Sequence, residues 1–137
     1  MRNKLILATL IVFFIFITLS GCTASDTLYI SDAATCKNLD SDMKPIDKTD
    51  TFQAGTTDIY LTLIIHNLTP DDRLSVKWNY LDTSEEINNT DFTSPETLDA
   101  NYIGFNISWP DGFPIGKYNA EIYLNDNLTE TIEFSVQ

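Results

Sequence analysis

The chain carries one histidine, His66, and two cysteines, Cys22 and Cys36, and these few residues limit the chemistry open to it. An ordinary zinc site needs three or four nitrogen, sulfur or carboxylate ligands. His66 has no second histidine and no cysteine in register with it, so no metal ligand set is assigned. A serine or cysteine nucleophile needs a base beside it, and any triad would have to recruit His66; no Gly-x-Ser-x-Gly turn presents a serine. His66 is therefore expected as a solvated or hydrogen-bonded residue at a strand end. Twenty Asp and Glu residues offer accidental carboxylate pairs of the kind glycosidases use. An acid catalyst, however, needs burial or a close like charge to raise its pKa, and Asp40/Asp42, Asp71/Asp72, Glu85/Glu86 and Asp126 fall in polar stretches where charges stay solvated. No catalytic residue is assigned, and no cofactor. Calcium takes several loop oxygens; Asp40-Ser41-Asp42 and Asn125-Asp126-Asn127 supply them without the spacing of a calcium loop, and turn chemistry accounts for both.

The aromatic set Tyr102, Trp109, Phe113 and Tyr123 is the candidate ligand-binding surface. Trp109 and Phe113 flank a turn, where exposed rings can stack on a sugar or anchor a protein partner. The competing expectation is that they plug the open end of the domain beneath that turn. Asn67, Asn88, Asn106 and Asn127 each begin an Asn-x-Ser/Thr sequence, a glycosylation acceptor where the host has the machinery.

These residues must be positioned by strands. From Gly116 to Gln137 two arms alternate apolar and polar residues: Tyr118, Ala120, Ile122 and Leu124 in the first, Ile132, Phe134 and Val136 in the second, joined by Asn125-Asp126-Asn127. Period-two patterning on both sides of a turn predicts an antiparallel hairpin. Upstream, Ile59 to Ile65 predicts a central strand whose second face, also fairly apolar, expects partial cover. Leu74, Val76, Trp78 and Tyr80 predict another, with Trp78 inward, and Ile103, Phe105 and Ile107 a third. Leu28 and Ile30 open a first strand, Cys36 and Leu39 mark a second half-strand, and Thr51 to Gln53 an edge piece with Phe52 inward. Asp40 to Asp50 reads as a surface loop around Pro45, and Thr83 to Leu98 as loop with a weak edge strand near Ile87. About seven short strands separated by turns predict an all-β sandwich over 28–137.

Two local patterns resemble immunoglobulin-like domains. Gly116-Lys117-Tyr118-Asn119-Ala120 is similar to their tyrosine corner, with Ala120 where antibody domains have a cysteine. Trp78 resembles the tryptophan that packs across the sandwich. The resemblance implies an immunoglobulin-like antiparallel sandwich held by apolar packing alone.

The N-terminus resembles a prokaryotic lipoprotein signal. Arg2 and Lys4 precede an apolar run from Leu5 to Leu19, which ends in Leu19-Ser20-Gly21-Cys22. That resemblance implies a signal peptide over 1–21, removal at Cys22, acyl chains (palmitate among them) on Cys22, and a lipidated tether over 22–27. An uncleaved signal anchor is the alternative, although the run is short for a bilayer span. With Cys22 acylated, Cys36 has no partner within the chain and is expected as a small buried hydrophobe. Cys36-Lys37, Pro45, Thr51-Phe52, Ile59-Tyr60, Trp78-Asn79-Tyr80, Gly116-Lys117-Tyr118 and Phe134-Ser135-Val136 resemble a group of uncharacterised prokaryotic surface lipoproteins, which carries no settled activity.

The net charge is −12, and loss of Arg2 and Lys4 with the signal makes it more negative. Such a surface is repelled by nucleic acid and anionic lipid, so no nucleic-acid partner is expected. The sequence predicts a lipid-anchored module on the extracellular face of the cell membrane, without catalytic activity, binding a surface protein or glycan. The alternative is a carbohydrate-binding module using the aromatics near the 109–116 corner.

Overall fold

The computed structural model describes residues 26–137; the expected signal peptide and Cys22 lie outside them. The described residues form nine strands and no helix: β1 (Tyr29–Leu39), β2 (Pro45–Lys48), β3 (Thr51–Phe52), β4 (Asp58–His66), β5 (Leu74–Tyr80), β6 (Glu85–Phe92), β7 (Asn101–Ser108), β8 (Gly116–Leu124) and β9 (Asn127–Val136). They make two sheets, ordered β2-β1-β4-β7 and β3-β9-β8-β5-β6. Every pairing is antiparallel except β3 with β9, which is parallel. Chain direction thus gathers the loops at two ends. One end holds the start of β1 with the 67–73, 93–100 and 125–126 connections. The other holds 53–57, 81–84 and 109–115.

Alternation explains the core. On β4, Ile59, Leu61, Leu63 and Ile65 point inward and are wholly buried, and Ile103, Phe105 and Ile107 of β7 lie beside them. They face Val76 and Trp78 of β5, Tyr118, Ala120 and Ile122 of β8, and Phe134 and Val136 of β9 in one cluster. Trp78 stands opposite Ala120, whose small side chain leaves room for the indole. The Trp78 and Tyr118 rings both meet Phe134, edge-on at 5.9 Å and stacked at 5.3 Å. The pin between the sheets is apolar packing, as Ala120 in place of a cysteine implies.

Three expectations are corrected. The pieces at Leu28–Ile30 and Cys36–Leu39 belong to one strand, β1, interrupted by a bulge between Ser31 and Ala34. The bulge shifts the alternation by one residue, so that inward positions run through Ile30 before it and Thr35 after it, and this reads as a break. Within the loop expected at Asp40–Asp50, β2 pairs with β1. The stretch from Thr83 to Leu98 contains a full eight-residue strand, β6. Both are edge strands with few buried positions, so backbone pairing holds them where no apolar pattern marks them. The described strands number nine where about seven were expected.

The outer face of β4 is partly covered, as its composition suggests. The 40–44 loop leans over it: Thr62 Oγ1 donates to the Met43 carbonyl at 2.7 Å, and a Cβ on Gly104 would collide with Leu39 and Met43. Cys36 is a free thiol, wholly buried outside the main core cluster. Burial pushes its pKa up, which suppresses thiolate chemistry.

Candidate functional site

The four candidate rings do not share a surface. Phe113 is in the core at 3% exposure, and Trp109, half-buried, packs edge-on against it at 5.6 Å. The backbone N–H groups of both bond to the neighbouring 56–57 turn, Trp109 to the Thr57 carbonyl and Phe113 to the Thr56 carbonyl. These two residues close the end of the sandwich beneath the corner, and only Trp109 reaches solvent there. Tyr102 stands beside Ile64 on the outer face of the first sheet. Tyr123 stands beside Ser75 on the second sheet, donating its hydroxyl to Glu121 at 2.8 Å. That hydrogen bond pushes its pKa up.

The two oxygen-rich turns use their oxygens internally. Asp40 Oδ1 accepts the N–H groups of Asp42 and Lys44 at 2.8 and 2.9 Å. Asn125 accepts the Arg73 N–H at 2.9 Å and donates to Asp72 at 2.7 Å. Among the acceptor asparagines, Asn67 donates its amide to the Thr27 carbonyl at 3.0 Å, whereas Asn88, Asn106 and Asn127 are exposed. On the outer face of the second sheet two cations lie between acids: Arg73 between Asp91 and Asp126, Lys77 between Glu86 and Glu121.

The chemically distinctive cluster surrounds His66, the strand-end residue the pattern on β4 places there. Ser31 Oγ lies 2.9 Å from His66 Nε2, and Asp99 Oδ1 lies 3.4 Å from His66 Nδ1. The Tyr29 ring is stacked on the imidazole at 4.2 Å with a 4° tilt. The partners come from two places in the chain, β1 and the 93–100 connection. Ser31 and Tyr29 come from β1, brought opposite the end of β4 by the pairing of Tyr29 with His66 and Ser31 with Ile64. Asp99 follows Leu98, whose backbone is tied to Leu68 in a two-bond bridge of 2.9 and 2.8 Å.

In the tautomer that keeps its proton on Nδ1, Nε2 accepts the Ser31 hydroxyl, and the exposed Asp99 carboxylate stands within ion-pair distance of Nδ1. An acid, a base and a hydroxyl thus stand in the order that prepares a serine as a nucleophile. Sequence reasoning missed Ser31 and Asp99. The serine is 35 positions from His66, no local motif surrounds it, and strand pairing alone brings the two together.

No protein-family model matches the sequence, and no curated protein matches it significantly. Among solved structures, an immunoglobulin-like protein from Pseudomonas aeruginosa superposes with a TM-score of 0.59 at 12% identity, over 83% of this chain and 99% of that one. An alkylpurine DNA glycosylase from Pseudomonas fluorescens, bound to DNA containing an abasic site analog, superposes with a TM-score of 0.51 at 12% identity, over 83% of this chain and 31% of that one. This chain therefore spans about a third of the glycosylase, and the likeness is one of fold. Two packed sheets, a buried tryptophan on β5 and a tyrosine corner on β8 give this chain an immunoglobulin-like β-sandwich fold.

Proposed function

We propose that this protein is a lipid-anchored module on the extracellular face of a prokaryotic cell membrane, where it binds a surface partner without catalytic turnover. The observation that carries the reading is the exposed apolar tip at the end away from the start of β1. Ile115 is 65% exposed and Leu81 37%. Hydrogen bonds fix the backbone of each: Tyr80 donates its hydroxyl to the Ile115 carbonyl at 3.0 Å, and the Leu81 N–H donates to the Lys117 carbonyl at 2.8 Å. A strongly acidic chain that leaves such side chains exposed has a surface fit for a protein partner.

The anchor supports the same orientation. Acylated at Cys22, the chain has seven residues in which to reach Tyr29, about 25 Å when extended. The start of β1 would stay near the bilayer, and the tip with Leu81 and Ile115 would face outward. Carbohydrate recognition at the 109–116 corner is the alternative, and it rests on Trp109, since Phe113 lies in the core.

Crosslinking on intact cells tests the proposal. One dominant neighbour is expected, lost in Leu81→Asp/Ile115→Asp with the melting temperature unchanged. Capture unaffected by these changes would remove the tip from the reading. Cys22→Ser should release the protein from membranes or stall its processing; a variant that still incorporates fatty acid would overturn the anchor.

A further inference from the structure

We propose that Ser31 is an activated nucleophile that accepts an acyl group from an ester with an apolar acyl chain. Three independent features converge on it. The first is the series Asp99–His66–Ser31: a hydrogen bond joins Ser31 to His66, Asp99 stands 3.4 Å from the other ring nitrogen, and the imidazole, only 18% exposed at its side chain, is stacked on Tyr29. A base within hydrogen-bonding reach of a hydroxyl, and itself oriented by a third group, is the signature of an activated serine.

The second is the backbone next to it. The β1–β4 register passes directly from Ser31 to Ala34, so Asp32 and Ala33 form the bulge, and Asp32 has a φ of 51°. Aspartate adopts this left-handed conformation readily, and bulges gather where a strand re-aims a side chain. A bulge also takes backbone N–H groups out of the ladder; those of Asp32 and Ala33 are the donors that follow Ser31 in the chain.

The third feature names the substrate class. Pairing sets Ser31 of β1, Ile64 of β4 and Tyr102 of β7 in one row across the outer face of the first sheet. Directly opposite side chains stand roughly 5 Å apart, so the half-buried Ile64 and Tyr102 form an apolar floor leading away from the serine. A hydrophobic acyl chain can lie along that floor, whereas an anionic chain meets the field of an acidic protein.

In the step itself, Ser31 Oγ attacks the ester carbonyl as its proton passes to His66 Nε2. Asp99 stabilises the imidazolium through Nδ1–H. Collapse of the tetrahedral species breaks the bond to the leaving alcohol, which takes the proton from Nε2, and Ser31 is left carrying the acyl group as an ester. This acylation goes beyond the binding role and needs no turnover.

The test uses the full chain with p-nitrophenyl octanoate and p-nitrophenyl acetate, read by p-nitrophenol release and by mass spectrometry of the peptide containing Ser31. One equivalent of release and an octanoyl adduct on Ser31 are expected. Ser31→Ala should abolish the adduct, and His66→Asn should slow its formation on the order of 100-fold, with melting curves of both variants matching the parent. No adduct, an adduct elsewhere, or a rate unchanged by His66→Asn would overturn the proposal. Equal rates with acetate and octanoate would overturn the assignment of the chain to Ile64 and Tyr102. Continued Ser31-dependent release beyond one equivalent would uphold the nucleophile while overturning the non-catalytic reading above.

Discussion

Tyr118 and Trp78 show how much of the sandwich rests on single side chains. The Tyr118 phenol is wholly buried and donates to the Pro114 carbonyl four residues upstream at 2.5 Å. Burial, then the neighbouring Tyr80 and Asp82, pushes its pKa up to about 12. A raised folded value means that the folded state holds the proton more tightly than the unfolded chain. The associated stability is complete below the ordinary tyrosine value of about 10 and is lost as pH rises toward the folded value. Tyr118→Phe should therefore cost about 1 kcal/mol at neutral pH and flatten the loss of stability between those two values, as measured by urea unfolding across the alkaline range. Trp78 contributes by volume, while its indole N–H has no hydrogen-bond partner among the described residues. Trp78→Ala should destabilise the fold by roughly 3–5 kcal/mol; a loss below about 1 kcal/mol would contradict its place in the core. Trp78→Phe should cost less, because it also removes a buried donor that lacks a partner.

At the scale of elements, the β8–β9 hairpin is tied to the β4–β5 connection. Asn125 and Asp126 both have positive φ, 47° and 67°, the conformation that matches a two-residue hairpin turn to strand twist. Asn125 also bridges to Arg73 and Asp72. The Asn125 amide, with the Thr69 N–H and hydroxyl, holds the Asp72 carboxyl below the usual carboxylate range. A depressed folded value gives stability that is present above the ordinary carboxylate pKa and lost as pH falls through the folded value. Asn125→Ala is expected to cost about 1–2 kcal/mol at pH 7, with a smaller gap from the parent under strong acid; equal costs at both pH values would exclude this coupling. Gly116 is fixed differently. A Cβ there would sit 2.5 Å from Asp82 Oδ2 and 2.7 Å from Tyr80 Cε2, so the chain enters β8 through a gap that only glycine fits.

At the scale of the whole molecule, the sequence determined the layers. Inward alternation on β4, β5, β7, β8 and β9 is written in their side chains, because each of these strands must bury one face, and burial of apolar area is the main drive to fold. The buried tryptophan, the tyrosine corner and Ala120 in place of a cysteine were legible for the same reason. Edge strands β2 and β6 were not, since an element paired on one side and wetted on both faces carries no apolar code. The bulge in β1 hid for a related reason, a single extra residue that inverts the alternation after it. The rings were legible as aromatic but not as a set: the pattern that sends Phe113 into the core and Tyr102 and Tyr123 to opposite faces depends on which strands become neighbours. Only the tertiary structure decided that Ser31 and Asp99 meet His66, because strand pairing and loop closure join residues far apart in the chain, and no local propensity records which partners they will find.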